Sequence, residues 1–468
     1  MTAGNAGAPT ATPPSVRTRA PRRSPTELTF QLDEQLVERW AADEPAWLAD
    51  DRRAALARFR ELPIESSRLY TPYVDLRGAE LGGVAAYAET ASQPTVAADV
   101  LRPGVAAQIE LTDDRVTALA LDQASRAAGV TLQTFRALLR DDAAAARRLI
   151  TDAESLPGDD KLAQLTRAGW NQGVVVRVPA GVRLERPIVV RWSAGEADRA
   201  LLSRTIVELG DGAAASLVEE LVPSTAASNG PALFTGTLEV HLGRNAELAV
   251  ASLQELGPQT VVFQHRNAVI GEGASLRWAL AHLGSRLVRS RVDNRLIGDR
   301  STVEQIEIVF GSDDQLFDLT SYTRHVGRDT TGQLLSKGAL MDRSRSYMKG
   351  LIEIERSAIG TDSYLGEFGM NLSKAARAVA IPSLEIDQPD CRRAAHASSV
   401  GPIDETQVFY LRSRGIPEDE ARKFIVLGFL EPVVTRVPLD SAQDRLRELL
   451  ESKWNAGIAA TPVNGAAA

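Results

Sequence analysis

The feature that most constrains this 468-residue chain is a glycine-centred turn that recurs through its middle part. Each turn consists of an apolar residue, a glycine, two polar or small residues and one more small residue, with short β-branched runs between successive turns. The glycines of the repeat are Gly181, Gly210, Gly243, Gly271, Gly298, Gly327 and Gly360, with gaps of 27 to 33 residues. A strand-rich repeat of about 28–30 residues is typical of a β-solenoid, whose stacked rungs bury one another's apolar faces.

We expect each of these glycines to turn a corner with a positive φ angle, which glycine adopts at little cost. The runs between them, such as Val174–Val178 and Ile188–Trp192, have the β-branched composition of strands. A large antiparallel sandwich is the alternative, but its turns recur about every 8–12 residues. The sequence therefore predicts a mainly β protein whose core is a solenoid, also called a parallel β-helix.

Changes in composition divide the chain into five parts. We predict a disordered tail over 1–25, a mainly helical domain over 26–165, the β-helix over 166–400, a helical domain over 401–454 and a second disordered tail over 455–468. The first tail contains five prolines, which break the amphipathic helix that a transit peptide would need.

Helix signals organise the C-terminal domain. Asp404 has a side chain suited to capping a helix that Gly415 ends, and Pro417 begins the next helix. Pro432 is predicted to end that second helix. In the second helix, the helical period places four residues on one face, namely Ala421, Phe424, Ile425 and Gly428.

Composition and motifs exclude several classes of function. A net charge of −8 and a pI near 5.4 give no general attraction to nucleic acid or to an anionic membrane. The apolar runs are too short to span a bilayer, and we expect a cytoplasmic protein. The chain lacks the Gly-Lys-Ser/Thr of a P-loop, so we expect it to bind no nucleotide by that route. Its single cysteine, Cys391, excludes an intramolecular disulfide and a site built from several thiolates of this chain.

One group of acids suggests an enzyme. Asp313, Asp314 and Asp318 could supply the clustered carboxylates of a β-helix enzyme that acts on polysaccharide. A solvated turn at 311–315 explains the first two more simply, because glycine, serine and aspartate are typical turn residues. A stand-alone polysaccharide enzyme therefore remains the alternative function.

The chain has five histidines, and residue types alone favour structural roles for them. His396 differs from the others because small residues surround it, which leaves room for a metal or a partner. Cys391 lies five residues before His396. In a strand an odd separation places two side chains on opposite faces, so we do not expect the two to share a metal.

The segment from Ser383 to Phe429 resembles the C-terminal signature of the SufB/SufD family. The resemblance is carried by Ser383–Asp387, His396–Asp404 and Val408–Ile416. Its most specific stretch is Phe409-Tyr-Leu-Arg-Ser-Arg-Gly-Ile416. The resemblance implies a right-handed parallel β-helix between two helical domains, and a role in iron–sulfur cluster assembly in a complex with SufB and the ATPase SufC.

Within the family, the chain resembles the SufD branch. A SufB-type chain has a glutamate directly after the matching histidine, whereas Ala397 follows His396 here. The resemblance implies that His396 is a metal ligand of an iron–sulfur cluster that is transient and shared with SufB. Many SufD chains have a cysteine two residues before this histidine, but Ala394 occupies that position, so the resemblance implies no thiolate ligand from this chain, and the role of Cys391 stays open. With one cysteine and no P-loop, the chain needs partners for the remaining ligands and for ATP hydrolysis.

We therefore predict a non-catalytic scaffold subunit with two protein partners. The last rung of a solenoid exposes unpaired backbone groups, and we expect the edge at Ser383–Ile386 to pair with SufB, with His396 at the shared interface. We expect the C-terminal helices to dock SufC, and ATP-driven dimerisation of SufC to open the SufB interface. The residues predicted to contact partners are Val408, Phe409, Tyr410, Arg412, Arg414, Phe424, Gly428 and Phe429.

Overall fold

In the computed structural model, the described residues are 23–88, 101–153, 156–227 and 229–460. The α-helices among them are α1 (Glu34–Ala42), α2 (Ala46–Glu61), α3 (Gln123–Ala127), α4 (Phe135–Asp141), α5 (Ala143–Arg147), α6 (Lys161–Gly169), α7 (Glu405–Ser413), α8 (Glu418–Val434) and α9 (Asp440–Ala460). The first strands are β1 (Ala85–Ala86), β2 (Ala107–Thr112), β3 (Arg115–Leu121) and β4 (Thr131–Thr134). A short 3-10 helix covers Thr71–Tyr73 and a π-helical turn covers Arg148–Asp152.

The remaining sixteen described strands belong to the middle part of the chain. They are β5 (Gln172–Val178), β6 (Ile188–Ala194), β7 (Arg199–Leu209), β8 (Ala214–Pro223), β9 (Ala232–Leu242), β10 (Glu247–Gln254), β11 (Thr260–Ile270), β12 (Ser275–His282), β13 (Leu287–Leu296), β14 (Thr302–Gly311), β15 (Leu316–His325), β16 (Thr331–Leu340), β17 (Arg345–Ile354), β18 (Asp362–Asn371), β19 (Arg377–Ile386) and β20 (Arg393–Pro402).

Strands β5 to β20 form a solenoid, as the glycine repeat predicts. The odd-numbered strands form one parallel sheet, here called sheet A, and the even-numbered strands form a second parallel sheet, sheet B. Each strand is in register with its neighbours, for example Val250 on β10 with Trp278 on β12. Side chains of successive rungs therefore stack in rows, and the inner rows of both sheets form the main apolar core. The predicted β-helix between two helical regions is confirmed.

The two ends of the solenoid differ. At the first end, further strands continue both sheets. In sheet A, β4 pairs antiparallel with β5, and in sheet B, β2 pairs parallel with β6 and antiparallel with β3. At the other end, β19 pairs only with β17 and β20 only with β18 among the described residues. We call the last rung, β19 and β20, the open end.

The repeat glycines have two different roles. Gly181 and Gly360 have positive φ angles of 73° and 77°, as predicted. The prediction of a positive φ is wrong for the others, which are Gly210, Gly243, Gly271, Gly298 and Gly327. These glycines lie where the backbones of adjacent rungs approach closely. A Cβ at Gly271, for example, would lie 2.6 Å from the carbonyl oxygen of Leu242 in the preceding rung.

The left-handed residue of each of those corners lies two positions after the close-contact glycine. These residues have φ angles between 54° and 68° and are Gly212, Asn245, Gly273, Arg300 and Asp329. Asparagine and aspartate adopt this conformation more readily than other non-glycine residues. Each corner therefore needs a glycine for the spacing between rungs and a separate residue for the change of direction.

The N-terminal region covers the outer face of sheet A. Helix α6 packs on β7, β9 and β11, and Leu165 and Phe263 are buried in the apolar cluster at this contact. Charges are buried there as well, because Arg204 on β7 bonds Glu239 on β9 at 2.9 Å and both side chains are at most 1% exposed. The outer face of sheet A is therefore a packed interface within the chain.

The structure adds detail near two of the predicted domain boundaries. Arg23 donates hydrogen bonds to the carbonyls of Leu76 and Ala79, so tertiary contacts begin before residue 26. Helix α9 extends to Ala460, past the predicted boundary at 454. Residues 1–22 and 461–468 of the predicted tails lie outside the described residues. None of the described helices combines the length and the apolar character needed to cross a bilayer.

Helix α8 does not end at Pro432. It continues to Val434, so the predicted helix end is wrong. Leu430, Val433 and Val434 are fully buried, and this tertiary packing outweighs the single backbone hydrogen bond that a proline in the last turn removes. The two predicted ends of α7 are found. The Asp404 side chain caps its first turn, and Gly415, whose φ is 87°, lies directly after its last turn.

Candidate functional site

The candidate site is the open end of the solenoid, where no described strand covers the last rung. Most of β19 and β20 is partly or fully exposed. Leu384 is half-buried against the core, while Ile386 and Val400 are 45% and 39% exposed. An unpaired strand edge that carries apolar side chains is a surface on which a strand of another chain can add.

His396 lies on the inner side of β20. It is in register with Leu365 on β18, and parallel partners in register point to the same face of a sheet. Leu365 is fully buried in the solenoid core, so His396 continues an interior row that the described chain leaves uncovered. The side chain is exposed, with the small residues Ala394 and Ser398 on the same face. In the described part of the chain, its imidazole has no hydrogen-bond or ion-pair partner.

One histidine does not make a metal site. No group of three or more His, Cys, Asp or Glu among the described residues is placed to hold an ion. Cys391 lies in the connection before β20 and is half-buried against the core. Any ligand set that includes His396 therefore needs donors from outside the described residues.

A buried carboxyl group close to this row was missed by the sequence analysis. Glu367 on β18 is 1% exposed and is in register with Ser398, two positions from the pair formed by Leu365 and His396. Burial raises the pKa of Glu367 to about 8, although the N–H of Ile381, which donates to its Oε2 at 2.8 Å, opposes this shift. The alternation of inner and outer positions along β18 is the sequence signal that could have placed this acid inside.

Helices α7 and α8 carry the residues predicted to contact a second partner, and several of them are exposed. The exposed ones are Phe409, Tyr410, Arg412, Arg414, Phe424 and Gly428. Phe409, Tyr410 and Phe424 are 70%, 56% and 59% exposed, and the guanidinium of Arg414 lies 5.2 Å from the ring centre of Tyr410. Exposed apolar side chains are typical of interaction surfaces when they form one patch. We call these six residues the aromatic surface.

Val408 and Phe429 differ from the rest of the predicted set, because they hold the helices on the solenoid. Val408 is 1% exposed. Phe429 is half-buried, its ring centre lies 4.6 Å from Nζ of Lys337, and its carbonyl accepts a hydrogen bond from the same Nζ at 2.9 Å. Ala421 is also fully buried, so it does not share an exposed face with Phe424 as the helical spacing suggested.

The acids that suggested a polysaccharide enzyme do not converge. Asp318 is buried and forms ion pairs with Arg289 and Lys349 on the outer side of sheet A. Asp313 and Asp314 are exposed on a corner after β14. The predicted cluster of three carboxylates is therefore not formed, and the structure offers no support for this alternative.

The other histidines are mostly held by partners within the chain. Their pairs are His265–Asp293, His282–Glu307 and His325–Thr330. The exception is His241, whose buried Nε2 has no hydrogen-bond partner among the described residues. His396 is thus the exposed histidine of the described residues.

Comparisons with known proteins point to one family. The iron-sulfur cluster assembly protein SufD of Bacillus subtilis is 26% identical over 423 residues, which cover 88% of this chain and 94% of that protein. A SufBD family protein of Staphylococcus epidermidis is 25% identical over 289 residues, or 62% of each chain. A SufBD family protein of Mycobacterium tuberculosis is 27% identical over 306 residues, which cover 62% of this chain and 74% of that protein.

The family described as SUF system FeS cluster assembly, SufBD core domain, matches residues 191–429. This span is more than half of the chain and includes the strands from β7 to β20, the open end and α7. The chain therefore belongs to the SufB/SufD family of the SUF system, is SufD-like, and has a role in iron–sulfur cluster assembly.

Proposed function

We propose that this chain is the non-catalytic scaffold subunit of a SUF complex, which pairs with SufB at the open end and docks SufC on the aromatic surface. The observation that carries the proposal is the position of His396 at the exposed end of an interior row, where its imidazole has no partner among the residues that the structure describes. A second β-helix that added strands to β19 and β20 would cover this imidazole, so a cluster formed there would lie between the two chains.

In this proposal the nascent cluster is cargo shared by two subunits. Iron–sulfur clusters are usually held by four ligands, most of them thiolates. His396 supplies one ligand and SufB supplies the thiolates, since this chain has only Cys391, which is half-buried in the connection before β20. SufC supplies ATP hydrolysis, since the sequence has no P-loop.

The contacts of α7 and α8 support a second part of the proposal, in which a movement of SufC reaches the open end. Helix α7 begins at Glu405, shortly after β20 ends at Pro402, so a displacement of α7 pulls directly on the strand that carries His396. Helix α8 packs on β12, β14 and β16 of sheet B. We infer that ATP-driven dimerisation of SufC moves these helices and opens the SufB interface.

Replacing His396 tests the ligand assignment. In a complex purified after co-expression with SufB and SufC, His396→Ala is expected to leave assembly of the three subunits intact and to remove most of the cluster formed in anaerobic reconstitution. Ser399→Ala is the matched control, because Ser399 is exposed on the other face of the same strand. A normal rate of cluster formation in the His396 variant would contradict the assignment.

Replacing Phe424 tests the docking surface. Phe424→Asp is expected to weaken SufC binding by about 2 kcal/mol, or roughly thirtyfold in Kd, as for a central aromatic contact. Leu69→Asp is the control, because Leu69 is also an exposed large apolar side chain, at 49%, and lies in the N-terminal region. Unchanged SufC affinity in the Phe424 variant would show that SufC binds another face.

A further inference from the structure

The carboxyl group of Glu367 connects the two sheets at the open end. Glu367 extends inward from β18 in sheet B, and the N–H of Ile381 on β19 in sheet A donates to its Oε2 at 2.8 Å. Gly350 on β17 leaves room for this arrangement, because a Cβ at Gly350 would lie 2.9 Å from Oε1 of Glu367. The carboxyl group thus lies over Gly350 and reaches the backbone of the last strand of the opposite sheet.

Glu367 differs from the other acids of its interior row. The row consists of the register partners Glu219, Ser252, Leu280, Glu307, Ser336, Glu367 and Ser398. Glu219 bonds Arg266 at 3.1 Å and Glu307 bonds His282 at 2.8 Å. Glu367 forms no ion pair within the described ranges. A buried acid without a basic partner lowers stability, so its hydrogen bond to β19 is the interaction that accounts for an acid at this position.

Strand β19 is an edge strand at this point. Among the described strands of sheet A it is bonded on one side only, and its residues from Val379 to Leu384 are partly exposed. Pro382, which follows Ile381 directly, has no N–H and removes one donor from the ladder with β17. The bond between Ile381 and Glu367 therefore fixes the backbone next to a residue that has no N–H to donate.

We propose that Glu367 is a positioning residue of the open end, which fixes the backbone of β19 at Ile381 and thereby the shape of the edge that a partner β-helix meets. This inference rests on the proposed function in one respect, namely that the partner is SufB. Burial raises the pKa of Glu367 to about 8, so the carboxyl group is mostly neutral at pH 7. Glu367→Gln keeps the neutral state, the shape and the acceptor oxygen, whereas Glu367→Ala removes the acceptor.

The first test uses the isolated chain and measures hydrogen exchange of the Ile381 amide at pH 7. Glu367→Ala is expected to speed exchange by about tenfold, which corresponds to about 1.4 kcal/mol, while Glu367→Gln leaves it unchanged. Leu334→Ala is the control for lost packing, because Leu334 is buried one rung further inside, in register with Leu365, and its removal leaves the Ile381 bond in place. Equal exchange in wild type and Glu367→Ala would overturn the proposal.

The second test measures SufB binding of the same variants. Glu367→Ala is expected to weaken binding by about tenfold, whereas Glu367→Gln and Leu334→Ala stay within about threefold of wild type. If Glu367→Gln binds SufB as weakly as Glu367→Ala, the hydrogen-bond role is overturned. If Leu334→Ala loses as much SufB binding as Glu367→Ala, the loss comes from lower stability of the fold and the positioning role is overturned. If the wild-type chain does not bind SufB, the proposed function fails, and the exchange experiment alone decides the role of Glu367.

Discussion

The close-contact glycines of the solenoid allow a prediction with a worked magnitude. In Gly271→Ala the new Cβ would lie 2.6 Å from the carbonyl oxygen of Leu242, although unstrained heavy-atom contacts lie at about 3.5 Å or more. The two rungs must therefore separate by about 1 Å. The oxygen belongs to the backbone and also accepts the hydrogen bond from the N–H of Gly271, so it has no rotamer that avoids the clash. Overpacking costs about 1–3 kcal/mol and the weakened hydrogen bond about 1 kcal/mol, which predicts a total loss of about 2–4 kcal/mol.

Urea unfolding of the isolated chain, followed by circular dichroism of its strands, measures this loss. Gly401→Ala is the matched control, because no atom lies within 4 Å of a Cβ at Gly401, and its midpoint should remain near that of the wild type. Gly212 separates the two roles of glycine, since its φ is 68° and a Cβ there meets nothing. Gly212→Asn should be tolerated because asparagine adopts left-handed angles, whereas Gly271→Asn should not. Equal midpoints for Gly271→Ala and Gly401→Ala would refute the close-packing explanation.

Three further predictions follow from burial. Burial lowers the pKa of His325 from 6.5 to about 4. Between pH 6.5 and pH 4 the histidine is therefore protonated in the unfolded chain but neutral in the folded chain. The free energy of unfolding should fall by about 3 kcal/mol as the pH drops from 6.5 to 4. Urea titrations at several pH values measure this slope, which His325→Gln should remove. Glu239→Ala leaves Arg204 buried without its carboxylate and should cost about 3–5 kcal/mol of unfolding free energy, and a loss well under 1 kcal/mol would show that water reaches the guanidinium. Val408→Ala should lower the thermal midpoint while Phe409→Ala should not, because the two side chains are 1% and 70% exposed, and equal midpoints would contradict this separation.

Part of the candidate site could be predicted from the sequence, and part could not. The structure places His396 on β20 and the predicted edge on β19, both in the last rung. Their positions can be predicted because a terminal rung follows from the end of the repeat and the motif around His396 is a local property. Glu367 was missed because the hydrogen bond to its carboxyl group comes from β19, a strand of the opposite sheet. No short sequence motif predicts a contact between two strands of opposite sheets.

The sequence by itself determined the solenoid, the helical regions that flank it and the family, and it predicted a need for partners. These conclusions depend on a repeat period, on local helix signals and on counts of cysteine and P-loop motifs, all of which are visible in the linear sequence without knowledge of which segments pack together. Only the tertiary structure decided that Phe409 is exposed while the adjacent Val408 is buried, that α8 continues through Pro432, and that Gly271 is required by the rung before it. Each of these depends on the distance between segments that lie far apart in the chain, and that distance is set when rungs and helices pack together.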